Sequence, residues 1–341
     1  MLKTLFTLSL VAHSAMATLS IKTIKELHPM EGQNTQLWHG GYLWEGDAAA
    51  QKVDVFDSKG TLLRSISMTH FVKYVISAGP NSVLIVGKVY GEGWESYATT
   101  IRISDFKTSV RKLSEPVFAH MLLAESPNRF FFGDIPEKSL AHIDGNQLRR
   151  FGPEIVVPTE MVKSGNSLWI VEKGGLGSEV YNLMHYDLRT GKAERLFEKS
   201  TLRGRLARLF EIKSHNLLAA AETDKNQILL FDMNTRHINS TIAASGSPRA
   251  LSRYKNCLVV LSEQSRELRF FQLNKANQLL DTWNLESAGF KLTQPQGLDM
   301  DETTGNAFVR SSIGCTLCTA SPNSVVLVEE TNHAAIDKCS E

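Results

Sequence analysis

Three polar side chains recur in similar surroundings along this sequence. His120 stands in Phe118-Ala119-His120-Met121, Glu160 in Pro158-Thr159-Glu160-Met161 and Arg208 in Leu206-Ala207-Arg208-Leu209. Successive members are separated by roughly 40 to 49 residues, a repeat-scale period. A histidine and a sheltered glutamate are common general acids and bases, and a guanidinium fork grips carboxylates or phosphates. Two further segments align with these, Pro248-Arg249-Ala250-Leu251 and Gln294-Pro295-Gln296-Gly297-Leu298. Strand alternation sorts the aligned residues into two columns, one with His120, Glu160 and Arg208, the other with Thr159, Arg249 and Gln296; only one can face a common opening. Converging there, such residues would bind a polyol or anionic ligand or move a proton. Left apart, each is a half-solvated residue bonded to its neighbour.

Two long glycine-bearing stretches accompany them, Tyr90-Gly91-Glu92-Gly93-Trp94-Glu95-Ser96-Tyr97 and Gly174-Gly175-Leu176-Gly177-Ser178-Glu179. Trp94 and Tyr97 would give contact area with a polar handle to a ligand or partner protein, unless Trp94 folds back on its own sheet. Lys199, Arg203, Arg205 and Arg208 form a basic stretch that either reads an anion or is simply solvated. The acids Asp47, Asp134, Glu172, Glu222 and Glu263 are different in kind. They recur at equivalent points of the pattern, and periodic acids suit turn hydrogen bonding better than a unique catalytic pair.

The elements that must hold these groups are short strands. Apolar runs recur at Tyr42-Leu43-Trp44, Val83 to Val86, Phe130 to Phe132, Leu168 to Val171, Leu217 to Ala220, Leu258 to Leu261 and Ala307 to Val309. Several are followed by an alternating strand that ends in turn chemistry, as in Val53-Asp54-Val55-Phe56-Asp57-Ser58-Lys59-Gly60. Four short strands per repeat at this period read as an all-β chain: a single β-propeller of about seven four-stranded blades, with six or eight also compatible. The stretch Leu19 to Leu27 is placed as an outer strand closing the ring against the last blade.

The first 17 residues read as a secretory signal peptide, a lysine followed by an apolar run and Ala15-Met16-Ala17, leaving 18–341 as the propeller domain. The expected location is therefore secreted or periplasmic. No apolar run is long enough to span a bilayer, and a net charge of +1 gives no bias toward nucleic acid.

The segment Gln294-Pro295-Gln296-Gly297-Leu298-Asp299-Met300-Asp301, with weaker echoes at Pro158 and Pro248, resembles the propeller superfamily of NHL-repeat proteins, gluconolactonase/regucalcin-type lactonases and related periplasmic propellers. That resemblance implies a divalent cation, such as Ca²⁺, held by an N-terminal Glu, an Asn and an Asp to polarise a lactone carbonyl. Glu31 matches the N-terminal Glu, but Gln296 stands where the Asp would be, and Thr159, Ala207 and Arg249 fill the other aligned positions. Hard cations need oxygen donors, so the departures count against the metal. Two readings follow. The preferred one is a noncatalytic binding or scaffold protein without cofactor, meeting a partner protein or a small polar or anionic ligand on the loop-bearing face. The other is a metal-assisted lactone or ester hydrolase using Glu31.

Cys257, Cys315, Cys318 and Cys339 make an even set, and export favours disulfides. The expectation is a Cys315–Cys318 staple, or one of these joined to Cys339, with Cys257 a buried free thiol. A zinc site from Cys315, Cys318, Cys339 and His333 is the minor alternative. Covalent haem attachment would need His where Thr319 stands.

Overall fold

The computed structural model describes residues 19–27, 35–89, 94–119, 121–174, 181–197, 205–273, 277–286, 295–311, 323–330 and 337–340. Within them the chain forms seven four-stranded antiparallel sheets arranged as a ring, which settles the blade count at seven. Each of the seven apolar runs found in the sequence lies in the second strand of its blade, an interior strand with neighbours on both sides.

Blades 1 to 6 are contiguous in sequence, each running outward from an innermost strand at the central axis. Blade 7 is composite: Pro295–Met300, Ala307–Ser311 and Asn323–Glu330 supply three strands, and Leu19–Leu27 supplies the fourth. The register runs from Leu19 opposite Glu330 to Leu27 opposite Asn323, so residues near the two ends of the described chain close the ring.

Apolar side chains fill the wedges between adjacent blades. Leu43 and Phe56 of blade 1 meet Phe308, Val325 and Leu327 of blade 7, while Trp283 packs with Leu298 and Val309 between blades 6 and 7. Fully burying one such side chain is worth about 1.5 to 3 kcal/mol, and truncating one to alanine costs about 3 to 5 kcal/mol for a large aromatic. Close approach also needs small residues. A Cβ on Gly133 would sit 1.9 Å from Cγ of Pro158, so any side chain there would push the inner strand of blade 4 outward.

The innermost strands carry a feature that the repeat pattern did not reveal. Pairing to the second strand slips between Val72 and Tyr74, Pro158 and Glu160, Leu206 and Leu209, Pro248 and Ala250, and Pro295 and Gly297. Each slip is a bulge near the start of the strand, and a bulge re-aims the side chains beside it. Strict two-residue alternation therefore fails where it was used to sort the aligned columns.

The cysteine expectation is corrected. Cys339 is bonded to Cys257, the first residue of the second strand in blade 6, and Cys257 is not a free thiol. The C-terminal turn lies against this blade, with Asn256 N–H donating to the Cys339 carbonyl at 3.2 Å. A buried strand environment suits a half-cystine as well as a thiol, so alternation could not tell them apart. Cys315, Cys318 and His333 lie outside the described residues, as do residues 1–18, Glu31, His120, Lys199 and Arg203.

Candidate functional site

All seven inner strands contribute to a cavity of about 270 Å³ on the ring axis, lined among others by Gln36, Ser77, Glu160, Arg208, Ser252 and Asp299. Glu160 and Arg208 meet there as the sequence implied, Arg208 Nη1 donating to Glu160 Oε1 at 3.2 Å. Protein encloses both, yet the lumen leaves their side chains 17% and 33% exposed. Burial raises the Glu160 carboxyl above its ordinary range, against the pull of Arg208. The Glu160 carboxylate in turn raises Arg208, with Asp299 adding to the effect.

Gln36 and Asp299 were not singled out in the sequence. Gln36 Nε2 donates to Asp299 Oδ2 at 2.8 Å and to the Phe308 carbonyl at 3.2 Å, bridging blades 1 and 7. Burial raises the Asp299 carboxyl too, offset by Gln36, Arg208 and the Trp38 backbone N–H. The available signal was small: Asp299 is an acid between the apolar Leu298 and Met300 on an inner strand, three residues beyond the position compared with the family pattern. Two carboxylates against one guanidinium leave this lumen with surplus acceptor capacity. It can accept hydrogen bonds from hydroxyls or ammonium groups and offers Arg208 as a single strong donor.

Arg249 and Thr159 do not join this cluster. Arg249 is buried at the bulge of blade 6, 3.4 Å from Glu263, and burial lowers its pKa. A buried guanidinium at an aligned metal position repels a divalent cation, and Thr159 has its hydroxyl 3.4 Å from the Val171 carbonyl. Arg249 and Thr159 therefore fit a divalent cation poorly. Gln296 falls on the bulge of blade 7.

Trp94 and Tyr97 sit apart from the cavity, on blade 2. Trp94 is 51% exposed and tilts against Phe118 of blade 3 at 5.5 Å between ring centres. Tyr97 is in a strand, stacked on His70 at 5.9 Å with its hydroxyl donating to Glu95 at 2.6 Å. Between Trp94 and Phe118 lies Lys88, its ammonium 3.8 Å from the Phe118 centroid and 4.8 Å from that of Trp94. Burial, with the nearby charge of Lys73, pushes Lys88 down to about 8, while the aromatic faces favour the charged form. Lys88 was legible as an exception. It is the penultimate residue of the second strand of blade 2, at the strand end where blades 1, 3, 4 and 5 place Asp47, Asp134, Glu172 and Glu222.

Those acids serve locally. Asp134 receives Arg150 at 2.8 Å, Glu172 receives Arg195, and Glu222 lies 2.6 Å from Lys225.

No protein family and no curated protein matches the chain. Among solved structures, a streptogramin B lyase superimposes with a TM-score of 0.67 at 14% identity, over 91% of this chain and 97% of that one. A chain of a mitotic checkpoint complex gives 0.66 at 11% identity, covering 96% and 97%. The Swd1 β-propeller domain of Myceliophteria thermophila gives 0.60 at 14%, covering 92% and 100%. At such identities the likeness establishes the β-propeller fold alone. Among the described residues no helix is long and apolar enough to cross a membrane.

Proposed function

We propose that this propeller is an exported, noncatalytic binding protein that holds a small polar ligand in its central channel and meets a partner protein on the face where the inner strands begin. The observation that carries this reading is the convergence of Glu160, Arg208, Gln36 and Asp299, from four distant segments, on one open cavity at the ring axis. Two carboxylates to one guanidinium favour a ligand rich in hydroxyl or amine donors over a polyanion. Each hydrogen bond to such a charged group contributes about 1.5 to 3 kcal/mol. The exposed Trp94, backed by Lys88 and Phe118, is the partner contact on the same face, since rigid aromatics dominate interface energetics.

Calorimetric titration with a series of neutral sugars, polyols and amines tests the channel. At least one compound should bind saturably, and Arg208→Ala and Glu160→Gln should each weaken it about tenfold or more, the loss of one charge-assisted bond. Equal binding by all three proteins, each still folded, would remove the channel as the site. For the second surface, a co-purified partner that binds the Trp94→Ala variant as well as the parent protein would relocate the docking face.

A further inference from the structure

A second cavity lies on the other face. Inner strands run away from the channel mouth, so the first-to-second and third-to-fourth strand hairpins of blades 1 to 6 lie at the opposite end of the ring. Between blades 3 and 4 these hairpins frame a groove of about 490 Å³, within the range of small-molecule sites.

Its floor is aromatic. Phe131, His142 and Phe151 pack at 5.5 to 6.1 Å between ring centres, and Phe151 continues to Tyr186 of the next blade at 5.5 Å. Burial, followed by the charges of Arg129 and Arg149, lowers His142, so its ring is a neutral stacking surface. The rim is cationic: Arg129, Lys163 and Arg189 line the groove against one lining carboxylate, Glu125. Glu125 is already shared, 3.1 Å from Arg129 and 2.8 Å from Lys163. Asp187, beside Arg189, accepts the backbone N–H groups of Arg189 and Thr190 at 2.8 and 3.0 Å.

We infer that this groove between blades 3 and 4 is a binding site for a small aromatic carboxylic acid, its ring on Phe151 and Tyr186 and its carboxylate among Arg129, Lys163 and Arg189. An aromatic floor alone would take any flat apolar molecule. Three cations around one carboxylate add the demand for an anion: Glu125 is taken up by Arg129 and Lys163, Lys163 Nζ also donates to the Gly165 carbonyl at 2.5 Å, and the rim keeps a net positive charge. The volume suits a bicyclic acid and excludes a folded chain.

The probe is 2-naphthoate, titrated by calorimetry against the purified protein, with neutral 2-naphthamide and non-aromatic cyclohexanecarboxylate as comparators. The acid should bind one to one and about tenfold or more tighter than either comparator, since each lacks one half of the recognition. Arg189→Ala, an exposed rim change that leaves the core untouched, should weaken it about fivefold or more by removing a charged donor. Phe151→Leu should do the same by removing the stacking face, with melting temperatures showing that both variants fold. The channel variant Glu160→Gln should bind the acid as the parent does, which separates this site from the channel. Absence of binding, equal binding of acid and amide, indifference to both groove variants, or loss in Glu160→Gln would each overturn the assignment.

Discussion

Glu160–Arg208 and Glu45–Arg310 are chemically the same pair in two settings. The first lines the channel with side chains 17% and 33% exposed; the second lies between blades 1 and 7 with both side chains at 0%. Glu45 ends up beside Arg310 because the second strands of the first and last blades face each other across the closure, with Thr35 also accepting from the guanidinium. Solvent screens a wetted pair and keeps it reachable, so it can exchange its partner for a ligand. The dry pair has nothing to exchange with, and its burial pushes Glu45 up to about 7 despite Arg310. The same residues make a receptor in one place and a clasp in the other; water access decides which.

The sharpest way to break this comparison is to remove one partner from each pair. Arg310→Ala should cost about 3 to 5 kcal/mol in urea unfolding, because a buried carboxylate loses its counter-charge. Arg208→Ala should cost under about 1 kcal/mol, as for partly exposed pairs. Similar costs for both would refute the assignment of clasp and receptor.

The clasp shares the stabilising of the closed ring with the Cys257–Cys339 bond, which spans 82 residues. Replacing both cysteines by serine should lower stability by about 2 to 4 kcal/mol, with reduction giving the same shift. A parent protein whose unfolding midpoint ignores reductant would sink the claim that this bond pins the C-terminal turn.

The pH dependence has a definite sign. Glu45 is raised in the folded state, so the folded protein binds this proton more tightly than the unfolded chain does. Its contribution is fully present below the unfolded value near 4.5 and is lost as pH rises through about 7. Stability should therefore fall across that window by up to about 1.4 kcal/mol per pH unit, and Glu45→Gln should flatten this part of the profile. An identical profile in the variant would mean that Glu45 does not titrate there. The smallest effect is expected at Lys88: Lys88→Met preserves the stem between Trp94 and Phe118 and should change stability by less than about 1 kcal/mol, because the desolvation cost of the buried ammonium is removed along with its cation–π contacts. Loss of partner binding with retained stability would tie Lys88 to the docking face.

The fold was more legible than the site. Phe130-Phe131-Phe132 and its counterparts announced the second strands because a central strand must be apolar on both faces, and that signal repeats seven times. Glu160 and Arg208 were found because the inner strand of each begins in a recognisable segment. Gln36 was missed since blade 1 has an inner strand of four residues with no proline or apolar start. Asp299 was missed because the family pattern drew attention to Gln296. Arg249 was placed at the opening because bulges are invisible to alternation counting. The partner of Cys339 is 82 residues away, a separation on which local pattern is silent.

The pairing of Leu19–Leu27 with Asn323–Glu330 sets the order in which this molecule can assemble. As the chain emerges from its amino end, the first described strand must wait for its partner while six blades are made. Until residues 323–330 arrive it is a loose adhesive edge, open to pairing with other chains. Completion is thus a single late event, and a chaperone that shields this one segment would protect the whole ring.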